Sequence, residues 1–181
     1  PVREDYGSSG GLTVQTLLTG RVWKFGDDIS TDHIIAGRYL TSTDPKVLGE
    51  HAMENVNVEF AKKVRPGDLI VAATNFGCGS SREQAPIALK AAGLSCVVAD
   101  SFARIFYRNS INIGFPVVEC PGLHGTVEEG DTITVDLAAG HVVLPSRETM
   151  PFHPIPPNIL DILKAGGLVP KLRAELAAQR Q

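Results

Sequence analysis

Apolar runs alternate with polar, glycine-containing breaks along this chain, and they predict alternating strands and helices. Arg21-Val-Trp-Lys-Phe25 alternates polar and apolar residues, which predicts a first strand. Strands joined through helices form right-handed crossovers, which indicates a parallel sheet as the core of the fold. The apolar runs that predict the further strands lie at 69–75, 96–99 and 116–119, and the helical runs between them lie at 84–92 and 101–112.

Capping signals set the expected ends of these two helices. Ser80-Ser-Arg-Glu83 and Ser81-Arg-Glu-Gln84 each fit a capping box, so a serine is expected to cap the first helix. Asp100-Ser101 is expected to cap the second helix. Glycine commonly follows the last helical residue, so Gly93 and Gly114 are the expected ends.

The rest of the chain adds elements of other kinds. Asp44-Pro45 is a cap followed by proline at the first helical position, and it predicts a helix to about Asn55. Residues 132–136 and 141–144 alternate around a short glycine-containing turn and predict a β-hairpin. A further helix is predicted at about 157–165. The expected fold class is therefore α/β, a single domain with a parallel βαβ core and antiparallel additions.

Composition and charge narrow the functional classes. With 181 residues, 43% hydrophobic and 20% charged, the chain is typical of one globular domain. A net charge of −3 with scattered Lys and Arg gives no electrostatic case for nucleic acid. No apolar run approaches the roughly 20 residues of a membrane span. Neither nucleic acid nor a membrane is therefore an expected partner.

Residues 1–17 differ from the remainder. The N-terminus is polar and lacks the pattern of a secretory signal, and Gly7-Ser-Ser-Gly-Gly11 is typical of a flexible linker. We therefore expect residues 1–17 to be a flexible extension, or the remnant of a leader or linker, and residues 18–181 to form the domain.

The three cysteines predict no disulfide framework and no metal centre. Cys78, Cys96 and Cys120 are an odd number without the close spacing that zinc sites and disulfide scaffolds require. Cys96 and Cys120 lie in apolar runs, which predicts buried thiols. Cys78 lies in a glycine turn before a predicted helix, so we expect it to be accessible and its pKa to be lowered.

The glycine turn Asn75-Phe-Gly-Cys-Gly-Ser-Ser-Arg-Glu83 is the strongest candidate for chemistry. A strand, a glycine turn and a helix start together aim backbone N–H groups at an anion. A dinucleotide site is an alternative, although its third glycine is replaced by Arg82. A purely structural turn with capping serines is another. Arg82 favours an anion site, because arginine opposes the helix dipole unless a carboxylate compensates it.

Three motifs together resemble one family. The glycine turn, Ser101-Phe-Ala-Arg-Ile-Phe-Tyr-Arg-Asn109 and Ser30-Thr-Asp-His-Ile34 resemble the swivel domain of the aconitase superfamily. The resemblance covers about residues 18–170, and the length and layout are similar to free-standing small subunits of the 3-isopropylmalate dehydratase (isopropylmalate isomerase) type. It implies a swivel-type β/β/α domain.

The resemblance also implies an activity and a partner. The family reaction is a dehydration followed by rehydration that moves a hydroxyl group to the adjacent carbon of a malate derivative, here 2-isopropylmalate in leucine biosynthesis. A [4Fe–4S] cluster acts as Lewis acid, and it is expected on a separate large subunit, with no cofactor on this chain. The implied location is the cytoplasm, or the plastid stroma if the source is a plant.

Residue roles carry over from the family motifs. Ser80 matches the catalytic serine, which acts as a base in its ionised form, and Arg82 matches the arginine that binds a substrate carboxylate. The remaining matches have binding or supporting roles. Ser81, Asp32 and Thr41 are expected to face the substrate, and His33 and Gly79 are expected to support the site from behind.

Substrate choice in the family resides in the segment after the Asp-His motif, here Gly37-Arg-Tyr-Leu-Thr-Ser-Thr43. Relatives that act on tricarboxylates place an arginine near Thr41, and isopropylmalate relatives commonly have an apolar residue nearby. Isopropylmalate is the expected substrate. A dimethylmalate, citramalate or homoaconitate type of dehydratase is the alternative, followed by a nucleotide-binding module.

Overall fold

The computed structural model describes residues 16–179, which contain seven strands, seven α-helices and a 3₁₀ turn at Gly37–Tyr39. The strands are β1 (Leu17–Phe25), β2 (Leu69–Ala72), β3 (Cys96–Ala99), β4 (Val117–Glu119), β5 (Thr132–Asp136), β6 (His141–Val143) and β7 (Thr149–Pro151). The helices are α1 (Thr31–Ile34), α2 (Pro45–Glu50), α3 (Phe60–Lys63), α4 (Gln84–Ala91), α5 (Arg104–Asn112), α6 (Pro157–Lys164) and α7 (Leu168–Ala178).

All seven strands form one mixed sheet in the order β4-β3-β2-β1-β5-β6-β7. Strands β1 to β4 are parallel, and β5 to β7 are antiparallel additions. Strand β1 joins the halves, because Leu17–Arg21 pairs with β5 while Val22–Phe25 pairs with β2. The predicted α/β class, with a parallel core and antiparallel additions, is confirmed.

Each strand of the parallel half buries both of its faces. Alternate residues of β2 and β3 belong to two different apolar clusters, since side chains along a strand point to opposite faces. Ile70 and Val97 pack with residues of α2 to α6, whereas Val71 and Val98 pack with β5, β6 and the segment around Leu123. Because apolar clusters cover both faces of these strands, polar groups that bind a ligand are expected at the ends of the strands.

Two predicted elements are shorter than expected, and in each the predicted span contains a residue with positive φ that the element does not reach. Helix α2 begins after the predicted cap, where the Asp44 carboxylate accepts from Lys46 N, but it ends at Glu50 rather than Asn55. Met53 has φ of 61°, and its N–H donates to Ile34 O at 2.8 Å. Strand β2 ends at Ala72, since the chain turns away before Asn75, which has φ of 61°.

The predicted serine and aspartate caps of the two central helices are wrong. Glu83 and Ala103 occupy the cap positions of α4 and α5, and neither makes a side-chain capping bond. The predicted cap residues bind other loops instead: Ser101 Oγ accepts from Asn75 N at 2.8 Å, and Asp100 Oδ1 accepts from Gly122 N at 2.9 Å. Loop-to-loop bonding therefore replaces local capping here.

The ends of the chain differ from expectation in two ways. Leu17 already belongs to β1, so the domain begins earlier than residue 18. Residues 1–15 lie outside the described residues, and the flexible extension expected there stays a prediction. Helix α7 was not expected. It begins directly after Gly167 and buries none of its residues, so its sequence shows little apolar periodicity.

Candidate active site

Three loops meet at the carboxyl ends of β1, β2 and β3, which is the usual place for ligands in an open parallel sheet. They follow Phe25, Ala72 and Ala99, and isolated bridges join Ser30 to Cys78 and Phe76 to Phe102. The glycine turn therefore lies between the loop after β1 and the loop after β3.

Two aspartates of the first loop fix the entry to the glycine turn. Asp27 Oδ1 accepts from Thr74 N at 3.0 Å and from Thr74 Oγ1 at 2.6 Å, and these bonds lower the pKa of Asp27. Asp28 Oδ1 accepts from Asn75 Nδ2 at 2.7 Å. The start of the turn is thus held by side chains on both neighbouring loops.

The middle of the turn is packed tightly at Gly77. This residue has φ of 79°, and a Cβ there would lie 2.2 Å from Phe106 Cγ of α5. Its N–H donates to Ile29 O at 2.7 Å, and Cys78 O accepts from Thr31 N at 2.8 Å. A glycine is required here because backbone conformation and contact with α5 both exclude a side chain.

The second half of the turn is open. Within residues 16–179, the N–H groups of Gly79, Ser80 and Ser81 donate to no protein acceptor, and neither serine side chain is hydrogen-bonded. Both serines are exposed. Since α4 begins only at Gln84, helix capping does not account for them. Backbone N–H groups without acceptors favour binding of an anion.

Arg82 and Asp32, predicted separately, lie together. Arg82 Nη1 forms an ion pair with Asp32 Oδ1 and donates to Ile35 O at 3.2 Å. The Arg82 side chain is only 17% exposed, whereas that of Asp32 is 59% exposed. Arg82 N also donates to Ser80 O at 2.8 Å, so the backbones of Ser80 and Arg82 belong to one compact turn.

His33 supports the site through α1. Ser30 Oγ accepts from His33 N at 3.2 Å, and His33 Nδ1 accepts from Ser30 N at 3.1 Å, which is a reciprocal capping box. Because Nδ1 is the acceptor, the ring proton of the neutral form is on Nε2. This box fixes the start of the short helix that carries Asp32.

Thr41 lies on the segment at 37–43, is exposed, and its side chain makes no hydrogen bond among the described residues. The segment is anchored elsewhere. Gln84 Nε2 donates to Leu40 O at 3.3 Å, and the Tyr39 hydroxyl donates to Glu54 at 3.0 Å. The anchor Gln84 was missed by sequence reasoning, which assigned it only to a capping box.

Thr31 was also missed. It is 1% exposed, and its Oγ1 has no hydrogen-bond partner within residues 16–179. A Cβ at Gly79 would lie 3.5 Å from this oxygen. Thr31 precedes Asp32 in the Thr-Asp-His motif, which is the signal that could have found it.

The structure corrects the pKa predicted for one of the three thiols. Cys96 and Cys120 are buried as predicted, and burial raises the pKa of Cys96 to about 12. Cys78 is half-buried, and its pKa is raised by burial and by the nearby charge of Asp28. The expected lowering is wrong because α4 starts six residues after Cys78, too far for its N-terminus to stabilise a thiolate.

No group of three or more His, Cys, Asp or Glu side chains in the described part of the chain could hold a metal ion. No helix in that part is long and apolar enough to cross a membrane.

Comparison with known proteins gives the class of the fold and site. Residues 29–121, which contain every candidate site residue, match the family described as the Aconitase C-terminal domain. The 3-isopropylmalate dehydratase small subunit 1 of Methanopyrus kandleri is 55% identical over 163 residues, which cover 90% of this chain and 96% of that one. The isopropylmalate/citramalate isomerase small subunit of Methanocaldococcus jannaschii is 48% identical, covering 91% and 98%.

A solved structure agrees. The crystal structure of a 3-isopropylmalate dehydratase from Methanocaldococcus jannaschii has a TM-score of 0.86 and 44% identity, and the match covers 91% of this chain and 98% of that chain. The chain belongs to the family of 3-isopropylmalate dehydratase small subunits. The family resemblance predicted from the three motifs is confirmed.

Proposed function

We propose that this chain is the small subunit of a heteromeric hydro-lyase that converts 2-isopropylmalate into 3-isopropylmalate in leucine biosynthesis. Family membership supports the activity. The observation that carries the residue roles is the open half of the glycine turn, where Ser80 lies among unpaired backbone N–H groups and two residues before Arg82, whose guanidinium is anchored on Ile35 O.

Arg82 is proposed to bind a carboxylate of the substrate. Its contacts with Asp32 and Ile35 O both use Nη1, so Nη2 and Nε donate to no acceptor among the described residues. Arginine presents these donors in a planar fork that matches a carboxylate. Asp32 keeps the fork in place, and the N–H groups of Gly79 to Ser81 add further donors, with the Ser81 hydroxyl at the same edge.

Ser80 is proposed to be the base. A serine hydroxyl is a weak base, so its ionised form needs positive charge and hydrogen-bond donors nearby. Arg82 and the unpaired N–H groups supply both. In the reaction, ionised Ser80 Oγ takes the proton from the carbon α to a carboxylate, and rehydration returns a proton to the neighbouring carbon.

The large subunit is proposed to complete the site. Gly79, Ser80 and Ser81 are exposed, so the catalytic turn has an open side toward which a partner can bind. Departure of the substrate hydroxyl needs a Lewis acid, which a [4Fe–4S] cluster on the large subunit would supply. The location in the cytoplasm, or in the plastid stroma, stays a prediction.

The test is isopropylmalate turnover by the purified complex of both subunits. Ser80→Ala is expected to lower kcat by about 10²–10⁴-fold, because the base is lost. Ser146→Ala, an exposed serine on the β6–β7 turn, is the matched control and should leave kcat unchanged. Turnover by Ser80→Ala within a few-fold of the wild type would contradict the assignment.

Substrate range is tested separately with isopropylmalate, dimethylmalate, citramalate and homocitrate. The isomerase name of the Methanocaldococcus jannaschii relative includes citramalate, and Thr41 here is exposed without a hydrogen bond in the described residues. We expect isopropylmalate to have the highest kcat/KM. A higher value for citramalate would assign this chain to the alternative type. Measurable nucleotide binding would support the alternative of a nucleotide-binding module.

A further inference from the structure

Thr31 carries a buried hydroxyl that the proposed mechanism does not use. Its residue is 1% exposed, and Oγ1 has no partner within residues 16–179. Buried polar side-chain atoms nearly always have a hydrogen-bond partner, since leaving one unpaired destabilises the fold. An orphaned hydroxyl beside a reactive residue therefore requires an explanation.

The hydroxyl lies beneath the open half of the glycine turn. Thr31 N donates to Cys78 O at 2.8 Å, and Ser30 pairs with Cys78 in an isolated bridge, so the backbone of Thr31 is fixed against the turn. A Cβ at Gly79 would be 3.5 Å from Thr31 Oγ1, which makes Gly79 the neighbour of this oxygen. Ser80 is the next residue.

The two sides of this contact differ in freedom. Thr31 is held by its backbone bonds and by the start of α1. Gly79 has φ of 94°, a conformation natural to glycine, and its N–H has no acceptor in the described part of the chain. Gly79 is therefore the less constrained side of this contact, and a small rotation of its backbone would suffice to bring the turn and the Thr31 hydroxyl together.

We propose that Thr31 is a positioning residue for Ser80, whose Oγ accepts a hydrogen bond from the Thr31 hydroxyl once the large subunit covers the turn. This inference rests on the proposed function. A fixed donor would orient the serine and stabilise its ionised form relative to the neutral one. The cost of the unpaired hydroxyl in the free subunit would be recovered when the site is assembled.

Two variants separate this role from simple packing. Valine has the shape of threonine without the hydroxyl, so Thr31→Val should raise the melting temperature of the free subunit by about 2–4 °C, because it removes an unpaired buried group. The same variant in the complex should lower kcat by about 10–100-fold with little change in KM. Thr31→Ser keeps the hydroxyl and is expected to restore most of kcat.

The pH profile gives a further readout. Loss of a hydrogen bond to ionised Ser80 raises the pKa of that serine, so the kcat limb that requires its ionised form should shift to higher pH in Thr31→Val and not in Thr31→Ser. A packing role would leave this limb unmoved. An unshifted limb with unchanged kcat, in an active wild-type complex, would overturn the inference and leave the proposed function standing.

The failure of the proposed function has a different signature. A wild-type complex that ignores isopropylmalate but acts on another dicarboxylate contradicts the proposed substrate, and the Thr31 variants are then compared on that compound. The melting temperature of the free subunit depends on no substrate. A Thr31→Val subunit that melts no higher than the wild type would overturn the inference in every case, whereas a wild-type complex inactive toward the whole panel would contradict the proposed function.

Discussion

The two edges of the parallel half of the sheet differ in how one group of backbone and side-chain atoms at each edge is paired. At the amino edge, buried Asp68 accepts through Oδ2 from Arg21 Nη2 and Trp23 Nε1, both at 2.9 Å, and from Arg65 N at 3.0 Å. At the carboxyl edge, the donors of Gly79 to Ser81 have no acceptor in residues 16–179. Bonded polar groups hold strands together, whereas unpaired ones remain available to a ligand. The amino edge therefore stabilises the sheet, and the carboxyl edge keeps donors free, as the proposed substrate site requires.

The largest expected effect tests the amino edge. Asp68→Ala should lower the free energy of unfolding by about 3–5 kcal/mol, because it leaves the buried Trp23 Nε1–H and the Arg65 N–H unpaired and removes the carboxylate that pairs with Arg21. Urea unfolding of the free subunit measures this. Asp161→Ala, which removes an exposed aspartate on α6, is the control and should change stability by less than about 0.5 kcal/mol. Equal effects of the two variants would break the comparison.

The next effect divides the carboxyl edge into a packed part and an open part. Gly77→Ala should cost about 2–5 kcal/mol, since its Cβ would meet Phe106 and φ is positive. Gly79→Ala meets no atom closer than 3.5 Å, so only the backbone conformation opposes it, at about 1–2 kcal/mol. Thermal unfolding of both variants measures the difference. A Gly79→Ala subunit as unstable as Gly77→Ala would mean that the turn is packed throughout.

A smaller effect concerns the guanidinium. Arg82→Lys retains the charge but loses the planar fork, so kcat/KM of the complex should fall by about 10–100-fold while the free subunit unfolds much as before. Steady-state kinetics and melting curves distinguish these outcomes. Arg104→Lys replaces an exposed arginine on α5 and serves as the matched control. A large loss of stability without a loss of activity would place Arg82 with the stabilising groups of the amino edge.

The smallest effect is a pH dependence. Burial raises the pKa of Asp68. The hydrogen bonds from Trp23, Arg65 N and Arg21, together with the charge of Arg21, outweigh burial, so the pKa lies below its ordinary value of 3.8. A lowered folded-state pKa contributes stability that is fully present above that ordinary value and is lost as pH falls through the folded-state pKa. Unfolding curves between pH 7 and pH 3 should therefore lose less stability in Asp68→Asn than in the wild type. Parallel curves would contradict the assignment.

Sequence reasoning recovered the parts that depend on periodicity and turn residues. The strand at 96–99, the hairpin, the N-terminal cap of α2 and the ends of α4 and α5 near Gly93 and Gly114 follow from local patterns. Contacts between loops that are distant in sequence could not be predicted from these local patterns. Serine and aspartate side chains accept hydrogen bonds in helix caps as readily as in loops. Only the folded chain shows that Ser101 Oγ accepts from Asn75 N.

The site shows the same division. Motifs predicted Ser80, Arg82 and Asp32 individually, but the ion pair between Arg82 and Asp32 joins residues 50 positions apart. The Thr-Asp-His motif draws attention to Thr31, but it does not show that the hydroxyl is buried and unpaired. An unpaired hydroxyl becomes visible only when its surroundings are known.

Strand β1 has a consequence for synthesis of the chain. Its second half pairs with β2 about 47 residues later, whereas its first half waits for β5, more than 110 residues downstream. During translation, Leu17 to Arg21 therefore offer an unpaired strand edge until most of the chain has emerged, and such edges recruit other strands. Contacts this distant in sequence also form slowly. Nascent-chain aggregation before Thr132 has emerged would be the first visible sign of this exposed edge.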